Sequence, residues 1–146
     1  MREILFRGKL IDNGEWVEGS LVKSTYETPT KKEEHFRIQE TVYGFNDESE
    51  MPFFCDYMSG IDEEVIPETV GQYTGLKDKN GNKIFEGDIV RYGNTIHKAI
   101  FEQRNGTAYF GLVYSEIETL PFGHYQDLKQ IEVIGNIHDN PELIKE

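Results

Sequence analysis

The chain has 146 residues, close to the commonest size of a single domain, with a hydrophobic share of 37% and 9 Phe plus 8 Tyr. That is enough apolar surface to fold without a metal or a disulfide framework, and the lone Cys55 excludes an intramolecular disulfide. A formal net charge of −12, from 27 Asp and Glu against 15 Lys and Arg, opposes nucleic acid, which is bound by neutralising phosphates; acidity of this kind more often keeps a cytosolic protein soluble. Met1 to Leu10 carry Arg2, Glu3, Arg7 and Lys9 and lack the apolar core of a signal peptide. Nowhere do the roughly 18 apolar residues of a membrane span run together. A cytosolic protein is therefore expected.

In chain order, residues 3–22 predict a hairpin. Asp12-Asn13-Gly14 supplies the residues that tolerate positive φ at a tight turn, between Ile4, Phe6 and Leu10 on one side and Trp16, Leu21 and Val22 on the other. Residues 23–34 are polar, contain Pro29 and read as an exposed connection. A strand is expected from Phe36 to Tyr43, with Phe36, Ile38 and Val42 on one face. Residues 46–52 form an acidic loop, 53–58 a short apolar run, and 61–70 either a strand ending at Pro67 or a brief turn.

Residues 70–92 predict a second hairpin about Asn80-Gly81, followed by Glu86-Gly87-Asp88, which bends into the next strand because Gly accepts the bend and Asp bonds its own backbone. A third hairpin spans 96–101 and 108–114, with Arg104-Asn105-Gly106 as its turn and Ala108, Phe110, Leu112 and Tyr114 on one face. After a loop with Pro121, Gly123 and His124, residues 131–135 make a short strand, and Asn140-Pro141-Glu142 has the cap and first-turn proline of a helix start. Phe6-Arg7-Gly8 through Val22 is echoed by Tyr73-Thr74-Gly75 through Val90, either one module in two copies or convergence on the few residues that fit a hairpin turn.

No chemistry-bearing constellation emerges. The four histidines, His35, His97, His124 and His138, form no i, i+4 pair and have no Cys-x-x-Cys partner, so zinc has no support. Asp78-x-Asn80-x-Asn82 resembles a calcium loop only until its sixth and twelfth positions, Lys83 and Ile89, where Gly and Glu are required. Cys55, between Phe54 and Asp56, reads as a buried, inert thiol. Alternating aromatics such as Tyr109 and Phe110, or Tyr114 and Phe122, read as packing rather than base-stacking platforms. Neither a cofactor nor an enzymatic activity is expected.

Residues 69–92, TVGQYTGLKDKNGNKIFEGDIVRY, with IEVIGNIHDNPELI at 131–144 and the opening ILFRGK ahead of W-V-x-G, resemble the YopX-type proteins of Gram-positive phages and prophages. The resemblance covers most of the chain, least so from about 23 to 62. It implies one domain over 1–146, with 1–60 and 61–146 as candidate sub-units, and a small, mainly β, phage-encoded protein with no catalytic residues to carry over. Most motif residues are turn formers; Gln72 and Thr74 are not.

The fold expected is mainly β: three hairpins and a terminal strand in a small, partly open, SH3-like barrel, with a short C-terminal helix. The function expected is that of a non-enzymatic accessory protein that binds protein, either itself as a homo-oligomer or a basic host or phage partner. The contact is placed on the acidic face around 46–64. Candidate contact residues are Asp47, Glu48 and Glu50, with Gln72 and Thr74 as further candidates. The alternatives are a nucleic-acid-associated barrel and a small hydrolase with a carboxylate site that spacing does not reveal.

Overall fold

The computed structural model describes residues 3–41, 60–104, 106–123 and 126–144. They divide into two compact units, Ile4–Gly71 and the chain from Gln72 onward.

In the first unit, β1 (Phe6–Lys9) and β2 (Trp16–Thr28) form the expected hairpin, paired from Phe6 opposite Gly19 to Lys9 opposite Trp16. Gly14 takes φ 71° at the turn, and the Asn13 side chain accepts the N–H of Glu15 at 2.9 Å. β3 (Lys31–Thr41) and β4 (Gly60–Val65) complete the antiparallel order β4-β3-β2-β1. Alternation places Leu10, Val17, Ile38 and Val65 in the core, with Phe6, Leu21, Phe36 and Val70 packed against them. Each such aliphatic side chain contributes about 1.5–3 kcal/mol on full burial. Gly19 is needed because the carbonyl of Gln39 lies 2.1 Å from where its Cβ would sit. Because β4 pairs with β3, residues 60–71 belong to this unit and the division falls after Gly71.

One expectation is corrected here. Residues 23–34 are not a loose connection: β2 and β3 run on as a two-stranded ribbon, paired residue by residue from Ser20–Gln39 to Thr28–Lys31. The polar composition that argued against strands reflects a ribbon exposed over most of residues 22–32. The mainly β fold is as expected, and among the described residues the sheets do not close into a barrel. Leu10 bridges Val65, with the N–H of Ile66 donated to the Lys9 carbonyl at 2.8 Å, so the end of β1 curls back to β4 at one point without a continuous ladder.

The second unit contains β5 (Gly71–Lys77), β6 (Lys83–Phe85), β7 (Asp88–Tyr92), β8 (Thr95–Arg104), β9 (Thr107–Ser115), β10 (Glu118–Pro121) and β11 (Ile131–Asn136). β5 and β6 pair about the Asn80-Gly81 turn, and the last five strands form an antiparallel sheet in the order β10-β9-β8-β7-β11. Its core is Ile84, Val90, Ala99, Leu112 and Ile131. The bend between β6 and β7 is built as expected: Gly87 has φ 92°, and buried Asp88 accepts the N–H of Phe85 at 2.7 Å.

The C-terminal helix is reduced to a single 3-10 turn, Pro141–Ile144, and no α-helix occurs among the described residues. Asn140 does not cap a longer helix; its side chain is folded back, accepting the N–H of Asn136 at 3.3 Å. The internal echo also stops at the turn. Gly14 and Gly81 share a positive φ, but Gly19 lies inside continuous β2 while its counterpart Gly87 makes a sharp bend. The registers differ too, with Phe6 opposite Gly19 and Tyr73 opposite Phe85.

Candidate functional site

The acidic excess is unevenly shared. Residues 1–71 hold 16 Asp and Glu against 7 Lys and Arg, whereas residues 72–146 hold 11 against 8. The described acidic candidates lie on both faces of β3 and β4, whose register sets Arg37 opposite Glu64 and Ile38 opposite Glu63. Strand alternation sends Glu33 and His35 to the same face as Glu64. His35 Nδ1 lies 2.6 Å from Glu64 Oε1, and its Nε2 lies 3.5 Å from Glu33 Oε2. The Glu64 contact raises the proton affinity of His35; partial burial opposes this and Glu33 adds to it. Lys31, and then His35, hold the Glu33 carboxyl below the ordinary range.

On the other face of β3, burial pushes the Glu40 carboxyl up, and the negative charge of Glu63 pushes it further. Like charges crowded on neighbouring strands are destabilising unless something positive meets them. Asp47, Glu48 and Glu50 lie outside the described residues, as does Cys55.

Gln72 and Thr74 are brought to the β5–β6 hairpin. Thr74 Oγ1 donates to the Ile84 carbonyl at 2.7 Å and accepts the N–H of Leu76 at 3.2 Å, so its hydroxyl ties the hairpin together. Gln72 takes part through its backbone: its N–H is donated to the Glu86 carboxylate at 3.3 Å and its carbonyl accepts the N–H of Glu86 at 2.9 Å.

Asp78 is explained by its bonds. Oδ1 accepts the N–H groups of Asn80 and Asn82, both at 2.9 Å, and Oδ2 accepts that of Val133 at 2.9 Å. Burial raises this carboxyl's pKa, and the three N–H bonds, Val133 first, outweigh that and leave it lowered. The calcium-like spacing is thus a turn clamp. Among the described residues, no group of three or more His, Cys, Asp and Glu is arranged to hold a metal ion.

Two further features escaped the sequence reading. A cleft of about 530 Å³ lies against β8, β9 and the Pro141–Ile144 turn, lined in part by Ile96, Val113, Tyr114 and Leu143. At its wall His97 is buried under the Tyr114 ring, with centroids 4.2 Å apart. The second feature is cationic. Two shallow clefts of about 220 and 310 Å³ share Lys79 and Lys129, the first adding Lys77 and the second Arg91. These four cations are spread over residues 77–129, and only the pairing of β11 with β7 and the Asp78 clamp gathers them, so no local spacing announced the cluster.

No helix among the described residues is long and apolar enough to cross a membrane. No curated protein matches the chain. Among solved structures it is similar to the crystal structure of protein EF1440 from Enterococcus faecalis, at 23% identity over 99% of this chain and 100% of that one, with a TM-score of 0.46. The family model described as YopX protein matches residues 5–145. By that match over nearly its whole length, the chain belongs to the YopX family.

Proposed function

We propose that this protein is a phage- or prophage-encoded accessory protein that acts by binding another protein rather than by catalysis, and that its partner presents a basic surface to the carboxylates of β3 and β4. The observation that carries this reading is the excess of 16 Asp and Glu over 7 Lys and Arg in residues 1–71, part of it on β3 and β4, where the strand register brings Glu40 beside Glu63. Crowding of this kind is unfavourable in the isolated chain, and an incoming Lys or Arg relieves it. Such complementarity steers association and selects partners more than it adds raw affinity. Asp47, Glu48 and Glu50 are counted in the same carboxylate excess of residues 1–71.

The test is affinity capture from phage-infected lysate at low and moderate salt, with the captured protein purified and its binding remeasured. Wild-type chain should retain a basic protein. The triple reversal Asp47→Lys, Glu48→Lys, Glu50→Lys and the double reversal Glu63→Lys, Glu64→Lys should each weaken it by about tenfold or more. No captured protein at either salt, or equal retention by both variants, refutes the reading. Sedimentation of the purified chain checks the self-binding form of the idea: a homo-oligomer that survives both reversals would place the contact elsewhere.

A further inference from the structure

We propose that the paired clefts formed by Lys77, Lys79, Arg91 and Lys129 bind a short acidic peptide segment of a protein partner. The proposal rests on the protein-binding reading above but concerns different residues and a ligand of opposite charge.

Four cations line the two clefts against two carboxylates, Asp78 and Glu132. Asp78 keeps its charge but makes no ion pair with them, its oxygens accepting the N–H groups of Asn80, Asn82 and Val133, so four cations face two carboxylates. Glu132 is divided between Lys79 at 3.4 Å and Arg91 at 3.9 Å. Lys77 and Lys129 have no ion pair among the described residues. A surplus of positive charge therefore sits in concave surface on a chain whose net charge is −12.

The ligand class follows from size, lining and charge. Clefts of about 220 and 310 Å³ lie at or below the lower end of the ~300–1,000 Å³ usual for drug-sized ligands. Two small clefts sharing a wall suit carboxylates spaced along an extended segment. No aromatic side chain lines either cleft to stack on a base, and Leu128 supplies an apolar contact instead. A nucleic acid brings a phosphate at every nucleotide and meets the repulsion of the whole acidic chain. A segment with two or three carboxylates satisfies the cations with far less of that repulsion.

The experiment is an NMR titration of the full-length chain with hexaglutamate at low salt, followed at backbone amides, with inorganic phosphate and a single-stranded oligonucleotide as parallel probes. Hexaglutamate should shift the amides of Lys77, Lys79, Arg91 and Lys129, and physiological salt should weaken the effect. Lys79→Glu with Lys129→Glu should reduce affinity about tenfold or more, while Lys31→Glu with Lys32→Glu should leave it unchanged. Lys77→Gln with Lys129→Gln removes only the cations without an ion pair and should also weaken binding, with the thermal midpoint retained.

Absence of shifts at these residues, or unaltered affinity in the cleft variants, overturns the proposal. So does inorganic phosphate binding as tightly as hexaglutamate, or the oligonucleotide binding these residues more tightly than the peptide. A failed titration beside a captured partner that is lost on reversal of Glu63 and Glu64 refutes the clefts alone. A successful titration with no captured partner refutes the acidic-face reading alone.

Discussion

The Asp78 carboxylate accepts the N–H of Val133 at 2.9 Å, fixing the Asn80-Gly81 turn to a strand 55 residues further along the chain. The Lys79 N–H, donated to the Ile131 carbonyl at 2.9 Å, makes the same join from the backbone. Together they satisfy the Ile131 carbonyl and the Val133 N–H on the outer edge of β11, which would otherwise be open to another chain. Replacing Asp78 by Ala strands three N–H donors, each costing about 1–3 kcal/mol where water cannot reach it. Asp78→Ala should therefore lower the stability measured by urea unfolding by about 2–4 kcal/mol, and a loss below 1 kcal/mol would contradict the clamp.

The same group makes a pH prediction. Its folded pKa is lowered from the ordinary 3.8, so the folded state favours the ionised form. The stability it contributes is present above 3.8 and is lost as pH falls through the depressed folded value. Asp78→Asn should flatten the fall of stability below that pH relative to wild type. Parallel acid-unfolding curves for the two proteins would remove Asp78 as a source of acid sensitivity.

Two glycines of the echoed segments should respond differently to alanine. At Gly19 a Cβ meets the Gln39 carbonyl oxygen at 2.1 Å, so β2 and β3 must separate. At Gly87 the nearest atom is the Ile137 side chain at 3.7 Å, an ordinary contact, and the cost is that of holding Ala at φ 92°. Gly87→Ala should cost about 1–2 kcal/mol. Gly19→Ala should cost more, or prevent folding of the first unit. Equal midpoints by thermal unfolding would contradict this ordering.

The turns were legible because few residues fit them. Asn13-Gly14, Asn80-Gly81 and the Glu86-Gly87-Asp88 bend all stand where positive φ and a short polar side chain are required. The ribbon over residues 20–39 was not, since its pairing is carried by backbone bonds and its exposed faces lack the apolar alternation that marks a half-buried strand. The site was less legible than the fold. His35 meets Glu64 through strand pairing, and the four cations are gathered by the pairing of β11 with β7 and the Asp78 clamp, so neither cluster has a signature in local spacing.

Thr74 and Gln72, inseparable in the sequence, are separated by their bonds. Thr74→Val removes a hydroxyl that both donates to the Ile84 carbonyl and accepts the Leu76 N–H, and should cost about 1–2 kcal/mol. Gln72→Ala leaves the backbone bonds to Glu86 in place and should change stability by less than about 0.5 kcal/mol. Chemical denaturation of both variants decides it. A larger loss at Gln72 than at Thr74 would show that its side chain carries a role these bonds do not account for.

His35 makes the second pH prediction, opposite in sign to that of Asp78. Its folded pKa is raised above the ordinary 6.5, chiefly by Glu64, so its contribution is fully present below 6.5 and is lost as pH rises through the folded value. Glu64→Gln keeps the shape of the contact and removes the charge. In that variant the imidazole, followed by NMR, should titrate closer to 6.5, with the remaining upward shift owed to Glu33. Because His35 and Glu64 are more than a third exposed, solvent screens the pair and added salt should erode the shift in wild type. If the imidazole titrates identically in wild type and Glu64→Gln, the 2.6 Å contact does not persist in solution, and Glu64 is not the chief cause of the raised proton affinity.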